Sequence, residues 1–205
     1  MDIGYLDIVS KSLRSLRIFH CSRCENLTLD KMKIQISISL LLVVSFVSFS
    51  LLAQTIKPEN PIQFKIKNAG IAVDGTIPDW MVEVDFDPKK LEQSSIRGTA
   101  NPACIETGIK LRDKHLQGRE YFHIQNYPEI NLQSKSFKAN GKNTFIGIFE
   151  LQIRDVKKEV SIPFVLIQNG KQRKFKGEFT IDRLDFGLGE KSLVLSDEVR
   201  VYLEF

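Results

Sequence analysis

Asp113 and His115 stand two residues apart in the run TGIKLRDKHL (107–116), and His123 follows eight residues later. A carboxylate beside an imidazole is the one arrangement in this chain suited to moving a proton, and it would serve an enzyme acting on a hydrophobic or quinone-like substrate. Nothing joins the pair. The chain has no GxSxG nucleophile elbow, no P-loop and no dinucleotide fingerprint. A metal site needs three or four ligands, and beyond residue 53 the only imidazoles are those of His115 and His123, with no thiolate cluster to help them. No catalytic residue, metal site or cofactor is therefore assigned, and His115 is read as orienting a ligand. Cys104, the only cysteine beyond residue 53, cannot form an internal disulfide and reads as a small buried strand residue.

The elements that must position these residues are strands. Phe64 and Ile66 alternate with Lys65 and Lys67, and the chain runs on past Gly70 into Ile71 and Val73. Val82, Val84 and Phe86 form the next apolar face, and Asp87-Pro88 marks one short helical turn through Leu91. Residues 95–105 and 130–137 read as further strands. The last third is the plainest, with apolar faces at Phe145 to Ile153, Val160 to Leu166, Phe175 to Ile181 and Val199 to Phe205. Asn140-Gly141 and Asn169-Gly170 are tight-turn signals.

Eight or nine antiparallel strands with little helix must bury their apolar faces against one another. An all-β, antiparallel eight-stranded barrel does so while removing exposed edges; a sandwich is the alternative. A barrel of that size either fills with side chains or holds one small ligand, and both remain open at this point. The inward positions Phe145, Phe149, Leu151, Phe164, Phe179 and Ile181 are the candidate lining. Gly147 and Gly177, each two residues from a ring, are expected to leave room beside Phe149 and Phe179.

Residues 107–134 interrupt the strands with a compact excursion. Thr107 is expected to cap a short helix through Lys110 and Leu111 towards His115, and Gly118 to end it in the left-handed conformation. A second turn carries Tyr121 and Phe122, and Tyr127-Pro128 forces an extended entry into the next strand. So much apolar surface on a connection predicts a lid over a hydrophobic interior, with His115, Tyr121 and Phe122 at it.

The stretch 34–52 is apolar apart from Gln35 and several serines, with Lys31 and Lys33 before it and Ala53-Gln54 after it. This layout is that of a signal peptide over 32–53, with translation from Met32 and cleavage after Ala53, and an uncleaved anchor as the alternative. Residues 1–31 then read as a mis-assigned extension, which empties the Cys21/Cys24 CxxC of meaning. The mature domain is 54–205, and the expected location is periplasmic or secreted. The formal charge of +4 divides into six basic against four acidic residues in the first 53 and 23 against 21 in the rest, so the folded part is nearly neutral. That argues against nucleic acid. The run Lys171, Arg173, Lys174 and Lys176 reads as a solvated outer strand face, with attraction to anionic headgroups as its functional alternative.

Several stretches resemble the YceI-like polyisoprenoid-binding family: FKIKNAGIAVDGTI (64–77), FDPKKLEQSSI (86–96), TGIKLRDKHL (107–116), the pair Tyr121-Phe122, YPEINLQS (127–134), FTIDRLDFGLG (179–189) and SDEVRVYLEF (196–205). The order and spacing of these pieces are more specific than any one of them. The chain departs at Asn68-Ala69-Gly70, where many members have histidine-alanine-glycine. The resemblance implies a lipocalin-like barrel, an export signal, and an elongated cavity that binds an isoprenoid or similar amphiphile for transport or storage, with no established enzymatic activity. The partners expected are thus a polyisoprenoid or other long-chain amphiphile, transient membrane contact and a homodimer.

Overall fold

Period-two alternation becomes ten strands in the computed structural model, which describes residues 54–170 and 172–205. The strands are β1 (Gln54–Ile56), β2 (Ile62–Asn68), β3 (Ile71–Ile77), β4 (Trp80–Asp85), β5 (Ser95–Ala100), β6 (Ile130–Ala139), β7 (Thr144–Ile153), β8 (Val156–Asn169), β9 (Gln172–Asp182) and β10 (Leu195–Glu204). One helix, α1 (Lys110–Leu116), lies between β5 and β6. The expected signal peptide, the 1–31 extension and the Cys21/Cys24 pair lie outside the described residues. Among the described residues, no helix is long and apolar enough to cross a membrane.

All pairs are antiparallel, in the order β1-β4-β5-β6-β7-β8-β9-β10-β2-β3. The count exceeds the expected eight because the chain reverses at Gly70. Ala69 (φ 51°) and Gly70 (φ 80°) make a two-residue turn that pairs Asn68 with Ile71. Both central residues at positive φ match the right-handed twist of the flanking strands. The short β1 adds the tenth strand. At the other end of the order, β3 and β4 do not pair, so the curled sheet is a half-barrel with a seam. The segment before α1 covers part of that seam through two backbone bonds, Thr76 N–H to Glu106 O (2.8 Å) and Glu106 N–H to Thr76 O (2.9 Å).

Several local expectations are corrected. The fifth strand stops at Ala100, because Asn101 accepts a hydrogen bond from Ala103 N–H (3.0 Å) and starts a 3-10 turn at Pro102–Cys104. Cys104 is accordingly a half-buried turn residue, not a strand residue. The turn after Asp87-Pro88 becomes 3-10 helix only at Leu91–Gln93. Thr107 does not cap α1. The Asp113 carboxylate instead reaches back to the Thr107 backbone N–H (2.9 Å) and hydroxyl. Gly118 is not left-handed; a Cβ there would crowd the His115 carbonyl oxygen at 3.0 Å.

The inward positions divide into two halves. One end is packed with rings: Phe86 sits edge-on to Phe137, Phe145, Phe164 and Phe175, with centroids 5.1–5.6 Å away, and Phe205 stacks on Phe175 at 5.1 Å. Such pairs each contribute about 0.5–1.5 kcal/mol beyond their buried area. Arg173 donates to the Phe86 carbonyl (2.8 Å), and Lys174 and Lys176 converge on Glu204 at 2.7 and 3.0 Å. Hydrogen bonds from first Lys174 and then Lys176 hold the Glu204 carboxyl below its ordinary range. The basic run on β9 is thus engaged with its own sheet at the filled end; Lys171 lies outside the described residues. The other end is open.

Candidate functional site

The open half encloses a chamber of about 520 Å³. Its walls are aliphatic, with Leu132, Leu151, Ile153, Ile181 and Val199 among them, and Phe64 and Phe179 close it towards the ring-filled end. Alternation puts these side chains inside: every second residue of β7 from Phe145 to Ile153 is buried. The chamber walls thus come from the same strands that build the aromatic plug.

The lid supplies the roof. Leu116, Tyr121 and Phe122 face the chamber, and Tyr121 lies against Gly189, where an added Cβ would approach the ring to 2.8 Å. Gly189 has φ +73°, so the position needs glycine on both counts. Its N–H donates to the Glu120 carbonyl (2.7 Å), which ties the lid to the loop after β9. Arg183 holds that loop from below. It is the one charged side chain fully buried among the described residues, and it donates to the carbonyls of Ser196, Leu188 and Glu190 at 3.0, 2.8 and 2.8 Å and to Asp197 Oδ1 at 2.8 Å. A buried guanidinium with its donors so engaged keeps an irregular loop in one conformation.

Thr107, Arg112 and His115 bring polar groups to the chamber on and just before α1, while Asn68, Thr99 and Arg183 line it elsewhere. Arg112 lines it and donates to the Thr107 hydroxyl (2.7 Å) and carbonyl (2.6 Å), without an acidic partner among the described residues. His115 is exposed, meets Glu120 Oε2 at 3.3 Å and stands edge-on to Tyr121 at 5.2 Å. Asp113 is turned to Thr107, so the Asp113/His115 pair of the sequence is not a proton-transfer pair in the structure: each group has a different partner.

Of the residues expected to line a cavity, Leu151, Phe179, Ile181, His115, Tyr121 and Phe122 face the chamber. Phe145, Phe149 and Phe164 do not. Phe145 stacks on Phe164 at 5.5 Å in the plug, and the Phe149 ring folds over Gly147, where an added Cβ would meet it at 2.3 Å. The glycine does leave space, as expected, but a neighbouring ring fills it. Arg112 and Arg183 were missed although both stand in the motif stretches; a single arginine carries no burial signal of its own, and only the fold brings carbonyls around Arg183. Phe64, Leu132 and Val199 were legible as inward positions by their alternation.

A curled antiparallel sheet around an apolar chamber, roofed by a helical lid, defines the class of small barrel-like β folds whose interior is not filled by their own side chains. Within that class the chain belongs to the YceI-like domain family, whose model matches residues 53–205. A UPF0312 protein of Pseudomonas savastanoi is 29% identical over 134 residues, covering 62% of this chain and 70% of the relative. The crystal structure of Burkholderia cenocepacia BcnA superposes with a TM-score of 0.68 at 24% identity, over 70% of this chain and 93% of that one. A polyisoprenoid binding domain from Saccharophagus degradans, implicated in plant cell wall breakdown, superposes with a TM-score of 0.55 at 10% identity, over 70% and 90%.

Proposed function

We propose that the chain is an exported carrier or store that holds the tail of a polyisoprenoid or similar long-chain amphiphile in the chamber, tail towards the aromatic plug and polar end beneath α1. The observation that carries this reading is the chamber itself: about 520 Å³ of largely apolar space, with Thr107, Arg112, His115 and Tyr121 on the lid side and Asn68, Thr99 and Arg183 the other polar residues that line it. An isoprenoid tail offers no polar atoms, so volume and apolar walls are what it needs. Each buried methylene contributes about 0.8 kcal/mol gross. A few isoprene units therefore offset the cost of association and reach roughly micromolar affinity. The polyisoprenoid binding neighbour supports the ligand class, and the family match supports a binding role over catalysis. The layout of residues 31–54 supports export. Mass spectrometry of organic extracts from natively purified protein is expected to return a long-chain amphiphile in near-stoichiometric amount, and N-terminal sequencing is expected to begin at Gln54. An empty extract from protein that also fails to bind added isoprenoid would overturn the reading.

A further inference from the structure

Five large apolar side chains stand in solvent around the chamber mouth: Ile71, Ile109, Leu111, Leu193 and Val194. They are 53% exposed or more, whereas the four other exposed large apolar residues described, Ile56, Met81, Val165 and Ile167, are 36–50% exposed. Single exposed apolar residues are ordinary, but a concentration at one opening is not. The five come from three segments that meet at the rim. Ile109 and Leu111 line the chamber from one side, and Asn68 and Leu195 from another. Ile71 pairs with Asn68, and Ala69 N–H donates to the Val194 carbonyl at 2.7 Å, so the β2–β3 turn and the loop into β10 form a continuous stretch of rim.

The same segments carry exposed Lys67, Lys110, Lys114 and Lys191. No ion pair among the described residues involves them. The carboxylates nearby are largely engaged: Asp74 with Lys65, Glu120 with His115, Asp113 with Thr107 and Asp197 with Arg183. Glu106 and Glu190 are left against the four lysines. At the filled end the opposite holds, since Lys174 and Lys176 are paired with Glu204.

We infer that this rim is the surface by which the protein lands on an anionic phospholipid bilayer. The five apolar side chains enter the boundary between headgroups and acyl chains, and the lysines meet headgroup phosphates. The inference rests on the reading that the chamber takes a lipid tail. A mouth ringed by apolar side chains opens directly onto the acyl region, so a tail passes from bilayer to chamber without crossing water. A second copy of the chain would bring the same four lysines against themselves; a surface dense in negative charge complements them.

The test uses the full chain with Leu193→Trp, and Val165→Trp at the filled end as the control, both in a Trp80→Phe background because Trp80 itself lines the chamber. Vesicles are phosphatidylcholine alone or mixed equally with phosphatidylglycerol, with and without brominated acyl chains. With Trp80 replaced, the introduced tryptophan is the only one in the chain and reports its own surroundings. Leu193→Trp fluorescence is expected to shift to the blue and be quenched by brominated chains on phosphatidylglycerol vesicles, and Val165→Trp to do neither. Adding Leu111→Glu is expected to weaken the Leu193→Trp response about tenfold. Absence of quenching at Leu193→Trp, or equal quenching at Val165→Trp, overturns the inference. So does a rim that proves to hold two copies together, read as a dimer that Leu111→Glu converts to monomer with the vesicle response unchanged. The two readings fail separately. Quenching at the rim with an empty organic extract and no binding of added isoprenoid leaves the landing surface and removes the tail reading. An extracted amphiphile without quenching does the reverse.

Discussion

The filled and open ends of the sheet are woven from the same strands. Phe145 and Ile153 lie at opposite ends of β7, equally buried, one in a ring cluster and the other in the wall of a chamber. What differs is side-chain reach. At the filled end Phe86, Phe145, Phe164, Phe175 and Phe205 meet across the interior, and Phe149 closes the gap over Gly147. At the open end the inward residues are mostly aliphatic, and a lid held by Arg183 and Gly189, not another layer of strand residues, shuts out solvent. Burial from water is thus reached in two ways, by filling and by roofing, and only the second leaves a site.

The largest effects should separate the two ends. Phe86→Ala or Phe149→Ala opens a cavity in a packed cluster and should cost about 3–5 kcal/mol in urea unfolding of the ligand-free protein. Phe179→Ala enlarges a space that already exists, so its cost should approach the transfer term alone, about 1.5–3 kcal/mol. Equal costs at Phe149 and Phe179 would erase the distinction between the ends. Next comes the roof. Arg183→Met leaves three carbonyls and the Asp197 carboxylate without their donor and should cost about 3 kcal/mol, at the low end for a buried pair because Asp197 is a third exposed. Hydrogen exchange at Leu188 and Gly189 should accelerate with it, while the amides of β7 near Phe145 should slow or speed only with global stability.

Filling the chamber should be gentler on the fold than on binding. Leu151→Trp adds volume to existing space, so stability should change by under about 1.5 kcal/mol while isoprenoid affinity falls at least about tenfold. The smallest effect is electrostatic and belongs to the filled end. The Glu204 carboxyl is held below its ordinary value of 4.5 by Lys174 and Lys176. Its contribution is therefore present above that value and is lost as pH falls through the lower folded value. Wild type should lose slightly more stability than Glu204→Gln between neutral pH and pH ~3, and added salt should narrow the gap, since the group is at the surface.

The half-barrel was legible because alternation survives wherever one strand face is buried. The runs from Phe145 to Ile153 and from Phe175 to Ile181 needed no tertiary information. The extra strand was hidden because Asn68-Ala69-Gly70 puts an alanine where a turn residue with easy positive φ would announce itself. The candidate site was half legible. Alternation says that Phe149 and Leu151 point inward alike; it cannot say that one packs on the Phe137 ring of the neighbouring strand and the other meets empty space. That depends on which strands face each other and where the lid falls. Arg183 lay deeper still, since its burial follows from a loop that bends around it.

The central claim is that one end holds a ligand and the other does not. It is tested by thermal unfolding of delipidated protein with and without a long-chain isoprenoid, for wild type, Phe149→Ala and Leu151→Trp. A ligand present at about 100 times its dissociation constant adds roughly 2.7 kcal/mol to stability, several degrees in midpoint for a domain of this size. Wild type and Phe149→Ala should both rise by that amount from their different starting midpoints, and Leu151→Trp should not rise. A rise in Leu151→Trp equal to that of wild type, or no rise in wild type, would contradict the claim.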